Sequence, residues 1–170
     1  LLTGGDYVRG NINAKIAIIE YSDVDCPFCG TFHETAKQAV DESQGEVMWI
    51  YRHLPLDQLH PEARDKAIAT ECAGILGGND MFWEFLDELF ETGSSYSEVP
   101  TIAGDLGLDV NSFNNCLNDE EPKLAVEYDE GIAQEVGVRG TPGNFVVNLE
   151  TEEVIQLRGA EPLQNVKETI

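Results

Sequence analysis

Lys15-Ile16-Ala17-Ile18-Ile19-Glu20-Tyr21-Ser22-Asp23-Val24-Asp25-Cys26-Pro27-Phe28-Cys29 is the stretch from which the fold is read. Its first part, Lys15 to Tyr21, is apolar without a helical period and stops at Ser22 and Asp23, which predicts a buried strand. Beyond it Cys29, Phe32, Ala36, Ala39 and Val40 recur at helical spacing, with Pro27 suited to the first turn and Gly45 to the stop. A second apolar run, Val47-Met48-Trp49-Ile50-Tyr51, follows. Strand, helix, strand is the unit of a parallel pair.

The Cys-x-x-Cys between the first strand and the helix stands where such a pair reads as a redox motif. At the helix start Cys26 meets unpaired backbone N–H groups and the positive end of the macrodipole, which favour a thiolate and make it the expected nucleophile. Cys29 shares a helical face with Phe32 and Ala36, so it is expected to be buried, protonated and resolving. Other uses of the pair fit less well. Zinc wants four ligands, and Cys26, Cys29 and His33 offer three, so no metal is expected. Haem attachment needs His after the second cysteine, where Gly30 stands. A passive disulfide closing so small a loop would stabilise little.

From about Leu56 to Gly137 the period is helical. Pro61 opens a helix whose inner face carries Ile68, Cys72, Ile75 and Leu76 and which closes at Gly77-Gly78. Asn79 or Asp80 caps the next, with Phe82, Phe85, Leu86 and Leu89 in register. Asp109 caps a short helix with Phe113, Cys116 and Leu117; Pro122 opens one carrying Ala125, Tyr128, Ile132 and Val136. Strands return at Asn144–Asn148 and Glu153–Leu157 as a hairpin, and Pro162–Ile170 is a last helix. The aromatic helix around Phe82, Trp83, Phe85 and Phe90 reads as core, with a rim for unfolded substrates as the alternative. His33, His53 and His60 are scattered and form no ligand spacing.

The chain has 170 residues, enough for one domain with a real core. Its unusual feature is charge: 10 Lys and Arg against 32 Asp and Glu, a net −22. Such a field repels phosphate backbones and anionic membrane surfaces, so nucleic-acid binding is not expected. The longest apolar runs are far short of the roughly 20 residues of a membrane span.

These features together resemble the thioredoxin-fold thiol–disulfide oxidoreductases, in the DsbA-like branch with a helical insertion. The residues that carry the resemblance are Ile18 to Asp23, Cys26-Pro27-Phe28-Cys29, Glu71-Cys72-Ala73, Phe113-Asn114-Asn115-Cys116-Leu117 and Gly137-Val138-Arg139-Gly140-Thr141-Pro142. The resemblance implies an α/β thioredoxin fold: a mixed four- or five-stranded sheet flanked by helices, built from residues 1–55 and 138–170, with residues 56–137 as an inserted helical subdomain. It implies a cis Thr141-Pro142 bond beside the Cys26 sulfur, leaving Thr141 backbone and the Pro27-Phe28 surface to bind substrate. It also implies that Glu20 is a buried acid under the site, with a raised pKa that suits proton exchange with Cys29.

Two departures qualify the likeness. Phe28 stands where the best-known relatives have His, so no imidazolium can stabilise the Cys26 thiolate and a less oxidising couple is expected. Gly143-Asn144 stands where the family often has Thr and an aromatic residue. Asp23 and Asp25 flank the site as anions that oppose thiolate formation. Cys72 and Cys116 read either as two buried thiols or as a structural disulfide tying the helical block. The implied activity is disulfide introduction into unfolded or reduced exported proteins without a cofactor. Reoxidation would come from a membrane quinone-linked thiol oxidase. The expected protein is a monomer in an extracytoplasmic place, periplasmic or at the cell surface, with an N-terminal anchor ahead of Leu1 as an option. The alternatives are a reductase or isomerase on the same fold, or a peptide-binding module with passive cysteines.

Overall fold

The computed structural model describes residues 3–170. A five-stranded sheet in the order β1-β3-β2-β4-β5 carries the site. Its strands are β1 (Val8–Gly10), β2 (Ile16–Ser22), β3 (Val47–His53), β4 (Gly143–Asn148) and β5 (Val154–Gln156). The apolar runs at β2 and β3 pair in parallel, with Glu20 beside Tyr51, because α1 (Pro27–Glu42) returns the chain across one face. On the other flank β4 runs antiparallel to β2 and sets Asn144 opposite Glu20. The edge strand β1, antiparallel to β3, was not read from sequence. Three residues are too few for a period-2 pattern to show.

Between β3 and β4 the chain builds only helices: α2 (Ala63–Thr92), a 3-10 turn at Tyr96–Glu98, α3 (Val99–Asp105), α4 (Val110–Cys116) and α5 (Glu120–Glu135). A last helix, α6 (Leu163–Thr169), packs against α1. The expected break at Gly77-Gly78 is a kink inside α2, where Gly78 takes φ 83°. A residue with a Cβ adopts that conformation only at a cost. Asn79, expected as a cap, instead pairs with the backbone of β1, accepting from Val8 N–H at 2.8 Å and donating to Val8 O at 2.9 Å. The kink thus ties the helical block to the sheet edge.

Two predicted faces are corrected. Ile75 and Leu76 are 39% and 41% exposed, since the first leg of α2 buries its stripe only as far as Gly74. On α5 the buried residues are Pro122, Val126 and Ala133, while Tyr128 and Val136 are more than half exposed. That helix starts at Glu120, ahead of Pro122, and Asp129 takes a partly sheltered slot, accepting from His53 N–H at 2.8 Å. A polar side chain in the inward stripe misleads a count of apolar positions. Tyr128 and Val136 border a cavity of about 480 Å³ with Tyr21 and Phe145, on the sheet face away from α1.

The core has two sides and an annex. One side packs Phe32, Ala36 and Val40 of α1 with Trp49, Tyr51, Phe82, Trp83 and Leu86. The helical block therefore shares its core with the sheet. The other side holds Ile19, Tyr21, Ile50 and Ala133. The annex lies among the helices, around Phe85, Phe113 and a Cys72–Cys116 disulfide with S–S 2.12 Å and Cα–Cα 5.8 Å. The aromatic residues Phe82, Trp83 and Phe85 are core, with exposures of 0 to 3%.

Candidate active site

The end of β2 presents its last residues to the N-terminus of α1. Asp23 turns the chain: its Oδ1 accepts from Asp25 N–H at 2.8 Å and its backbone O from Cys26 N–H at 3.1 Å. Cys26 then occupies the cap position of α1 in extended geometry (φ −78°, ψ 121°) with Pro27 at the first helical residue. No side chain caps this terminus, so the free N–H groups of the first turn face the Cys26 side.

Both cysteines are free thiols with different surroundings. Cys26 is 7% exposed and donates its Sγ–H toward Thr141 O at 3.7 Å. Cys29 is fully buried, and its Sγ accepts from Asp23 N–H at 3.5 Å. Burial, and then the Glu20 carboxyl, push the Cys29 thiol well above its ordinary pKa. The Thr141-Pro142 peptide bond is cis. Thus the chain brings Thr141 and Pro142 to a sulfur 115 residues away in sequence. Between the cysteines Phe28 is 69% exposed and stands open beside Cys26.

Glu20 lies inside the molecule, fully buried on β2, and Trp49 Nε1–H donates to its Oε2 at 3.1 Å. Burial raises its pKa to about 8, against the opposing hydrogen bonds from Ser22 and Trp49. Its Oε1, like Tyr51 Oη and Asn144 Oδ1, is buried without a hydrogen-bond partner among the described residues. A neutral carboxyl under Cys29 is a proton donor at ordinary pH.

Asp23 and Asp25, read from sequence as anions that oppose a thiolate, have partners that the bare sequence does not show. Asp23 Oδ2 accepts from Leu56 N–H at 2.8 Å and meets His60 Nδ1 at 2.8 Å, and Lys66 Nζ lies 2.6 Å from Asp25 Oδ1. The helical block supplies these partners, so their role has no local sequence signal. His33, one turn beyond Cys29, is buried, and its Nε2 lies 2.6 Å from Asp87 Oδ1. Burial pulls the His33 pKa down. Its ring packs on Trp49 at 4.9 Å and Phe90 at 4.4 Å, as a core residue. The Gly143-Asn144 departure has a steric reason. A Cβ on Gly143 would stand 2.5 Å from Val138 Cγ1, and the Asn144 amide donates to Gly159 O at 2.9 Å. Cys72 and Cys116 belong to the helical annex and to no part of this site.

A mixed sheet with a Cys-x-x-Cys at a helix start, facing a cis-proline loop, defines a thioredoxin-fold protein of DsbA-like form. A thioredoxin family model (Thioredoxin_4) matches residues 2–160, and the chain belongs to that family. Among solved structures, DsbA2 of Pseudomonas aeruginosa superposes with a TM-score of 0.81 at 28% identity, covering 99% of this chain and 93% of that one. BdbD from Bacillus subtilis, oxidised, gives 0.78 at 24% identity, with 97% and 90% covered, a likeness of fold. A Na(+)/H(+) antiporter NhaA 1 of Mycolicibacterium vanbaalenii is 32% identical over 149 residues, covering 83% of this chain but 23% of that protein. The chain spans about a quarter of the length of the curated relatives it matches. Antiport is a property named for those longer proteins. Among the described residues no helix is long and apolar enough to cross a membrane.

Proposed function

We propose that this chain catalyses thiol–disulfide exchange through Cys26 and Cys29, working as an oxidant of thiols in unfolded exported proteins. The observation that carries this reading is the asymmetry of the pair: Cys26 at the open helix terminus against Thr141 O, Cys29 buried over Glu20. The fold likeness to DsbA2 supports it.

The reaction starts from the Cys26–Cys29 disulfide. A substrate thiolate attacks Cys26 Sγ; the new S–S bond forms as the Cys26–Cys29 bond breaks, and the electron pair leaves on Cys29 Sγ. Glu20 gives its proton to that sulfur, which its buried surroundings keep protonated. A second substrate thiolate attacks the substrate sulfur of the mixed disulfide and releases the Cys26 thiolate beside the free N–H groups of α1. The substrate gains one disulfide, and the chain ends as a dithiol with both thiols free, the form of the present structure. A membrane quinone-linked thiol oxidase would take those two electrons, in an extracytoplasmic compartment where disulfides persist.

The reduction potential of the Cys26–Cys29 couple tests the direction. Equilibration in defined glutathione buffers is expected to give a value at or above about −180 mV; one near about −270 mV makes the chain a reductase and overturns the oxidant reading.

A further inference from the structure

The ten Lys and Arg of the chain are almost all spent on its own acids. Eight have a carboxylate oxygen within 3.8 Å, from Arg9 on Asp87 to Lys167 on Glu42. Arg139 and Arg158 have no such partner among the described residues, and both are exposed. They lie 19 positions apart in sequence, on different segments, yet they line one groove of about 410 Å³. Its walls are residues 137–140 and 142–143 of the loop that carries cis-Pro142, and residues 156–159, from the last residue of β5 onward.

The groove starts one residue from the Thr141 O that meets Cys26 Sγ. Its lining is open backbone: no atom beyond the chain neighbours lies within 4 Å of a Cβ built on Gly137, Gly140 or Gly159. An extended chain can approach such a wall closely. The nearest acid in sequence, Glu161, tempers Arg158 without occupying its guanidinium. Its carboxylate is engaged by Asn165 Nδ2 at 2.6 Å and by the Arg158 backbone N–H at 3.3 Å.

We propose that this groove selects substrates, taking an acidic stretch that flanks the cysteine under attack, with Arg139 and Arg158 as the specificity-determining residues. In a molecule of net charge −22, two cations without a carboxylate partner among the described residues, on one groove walled by the cis-proline loop, offset the repulsion that an acidic polypeptide meets elsewhere. The proposal rests on Cys26 and Cys29 being the exchange pair.

The test uses two dithiol peptides that differ only in the residues flanking the cysteines, Asp in one and Asn in the other. Selectivity is the ratio of kcat/KM, Asp peptide over Asn peptide, for oxidation by the oxidised chain. At low salt, Arg139→Gln with Arg158→Gln is expected to lower that ratio roughly tenfold, about threefold for each charge lost at contact distances in water. Lys15→Gln with Lys123→Gln, which removes as much charge elsewhere, is expected to change it less than twofold. An unchanged ratio in the arginine variant, or an equal fall in the lysine variant, overturns the proposal. If wild-type chain oxidises neither peptide, the exchange reading has failed, and binding decides on the groove. Labelled Asp peptide on the Cys26→Ser chain, followed by anisotropy, should then bind about tenfold more weakly, with a higher Kd, after the arginine changes. An equal Kd overturns the groove as well.

Discussion

The two cysteine pairs are the same chemistry in opposite settings. Cys26 and Cys29 are three residues apart, unbridged, at an uncapped helix start, the first 7% exposed and the second fully buried. Cys72 and Cys116 are 44 apart and bridged, inside a cluster with Phe85 and Phe113. Cross-linking the second pair removes about 4 kcal/mol of unfolded-chain entropy, whereas a loop as short as the first removes about half as much. A pair that stabilises less when joined, and whose members differ in burial, is the one better suited to cycle. The difference between reactive and structural sulfur lies in position and surroundings, not in the residue.

The sharpest way to break this comparison is Cys26→Ser. Exchange activity on a dithiol peptide is expected to fall to background while the thermal midpoint stays within a few degrees. Residual turnover would move the nucleophile to Cys29. The converse change, Cys72→Ala with Cys116→Ala, should leave exchange within about twofold but lower stability by up to about 4 kcal/mol in denaturant melts. A midpoint that does not move would remove the structural role.

Glu20 sharpens the contrast through pH. Its carboxyl titrates near 8 in the fold and in the ordinary range when unfolded, so the stability it allows is fully present below about pH 4.5. That stability is lost as pH rises toward 8. Glu20→Gln, which stays neutral, is therefore expected to gain on wild type across this window, on the order of a few kcal/mol by pH 8, in melts at stepped pH. Formation of the mixed disulfide, the step in which Cys29 leaves and takes a proton, should slow in the same variant. Flat stability differences across the window would show that Glu20 titrates normally. A smaller effect is expected from Trp49→Phe. It deletes the hydrogen bond to Oε2, costing about 1 kcal/mol, and moves the Glu20 midpoint further up, readable in the same pH series. The smallest is Phe28→His. It should raise the Cys26–Cys29 potential by roughly 30 mV, because an imidazolium at this exposed position favours the Cys26 thiolate.

Much of the site was legible along the chain because its parts are local. The strand before Asp23, the helix after Cys26 and the burial of Cys29 with Phe32 follow from periodicity and from where a cysteine stands at a helix start. The break at Gly78 was legible too, because glycine pairs mark it. The misread faces of α2 and α5 fail for a physical reason: which stripe is buried depends on what packs against it. Asp129 sits in the inward stripe because the β3 backbone offers it an N–H, and Asn79 leaves its expected cap because β1 offers it two backbone partners.

The sequence by itself determined a strand, a loop and a helix that hold two cysteines in unequal positions. It also determined, through resemblance, the family to which those elements belong. Only the tertiary structure decided the rest of what surrounds them: Trp49 on Glu20, His60 and Lys66 on the flanking acids, and on one groove two arginines without a carboxylate partner among the described residues. Local propensity acts within a few residues, whereas burial, charge pairing and proton affinity are set by groups that only the packed chain brings within a few ångströms of one another.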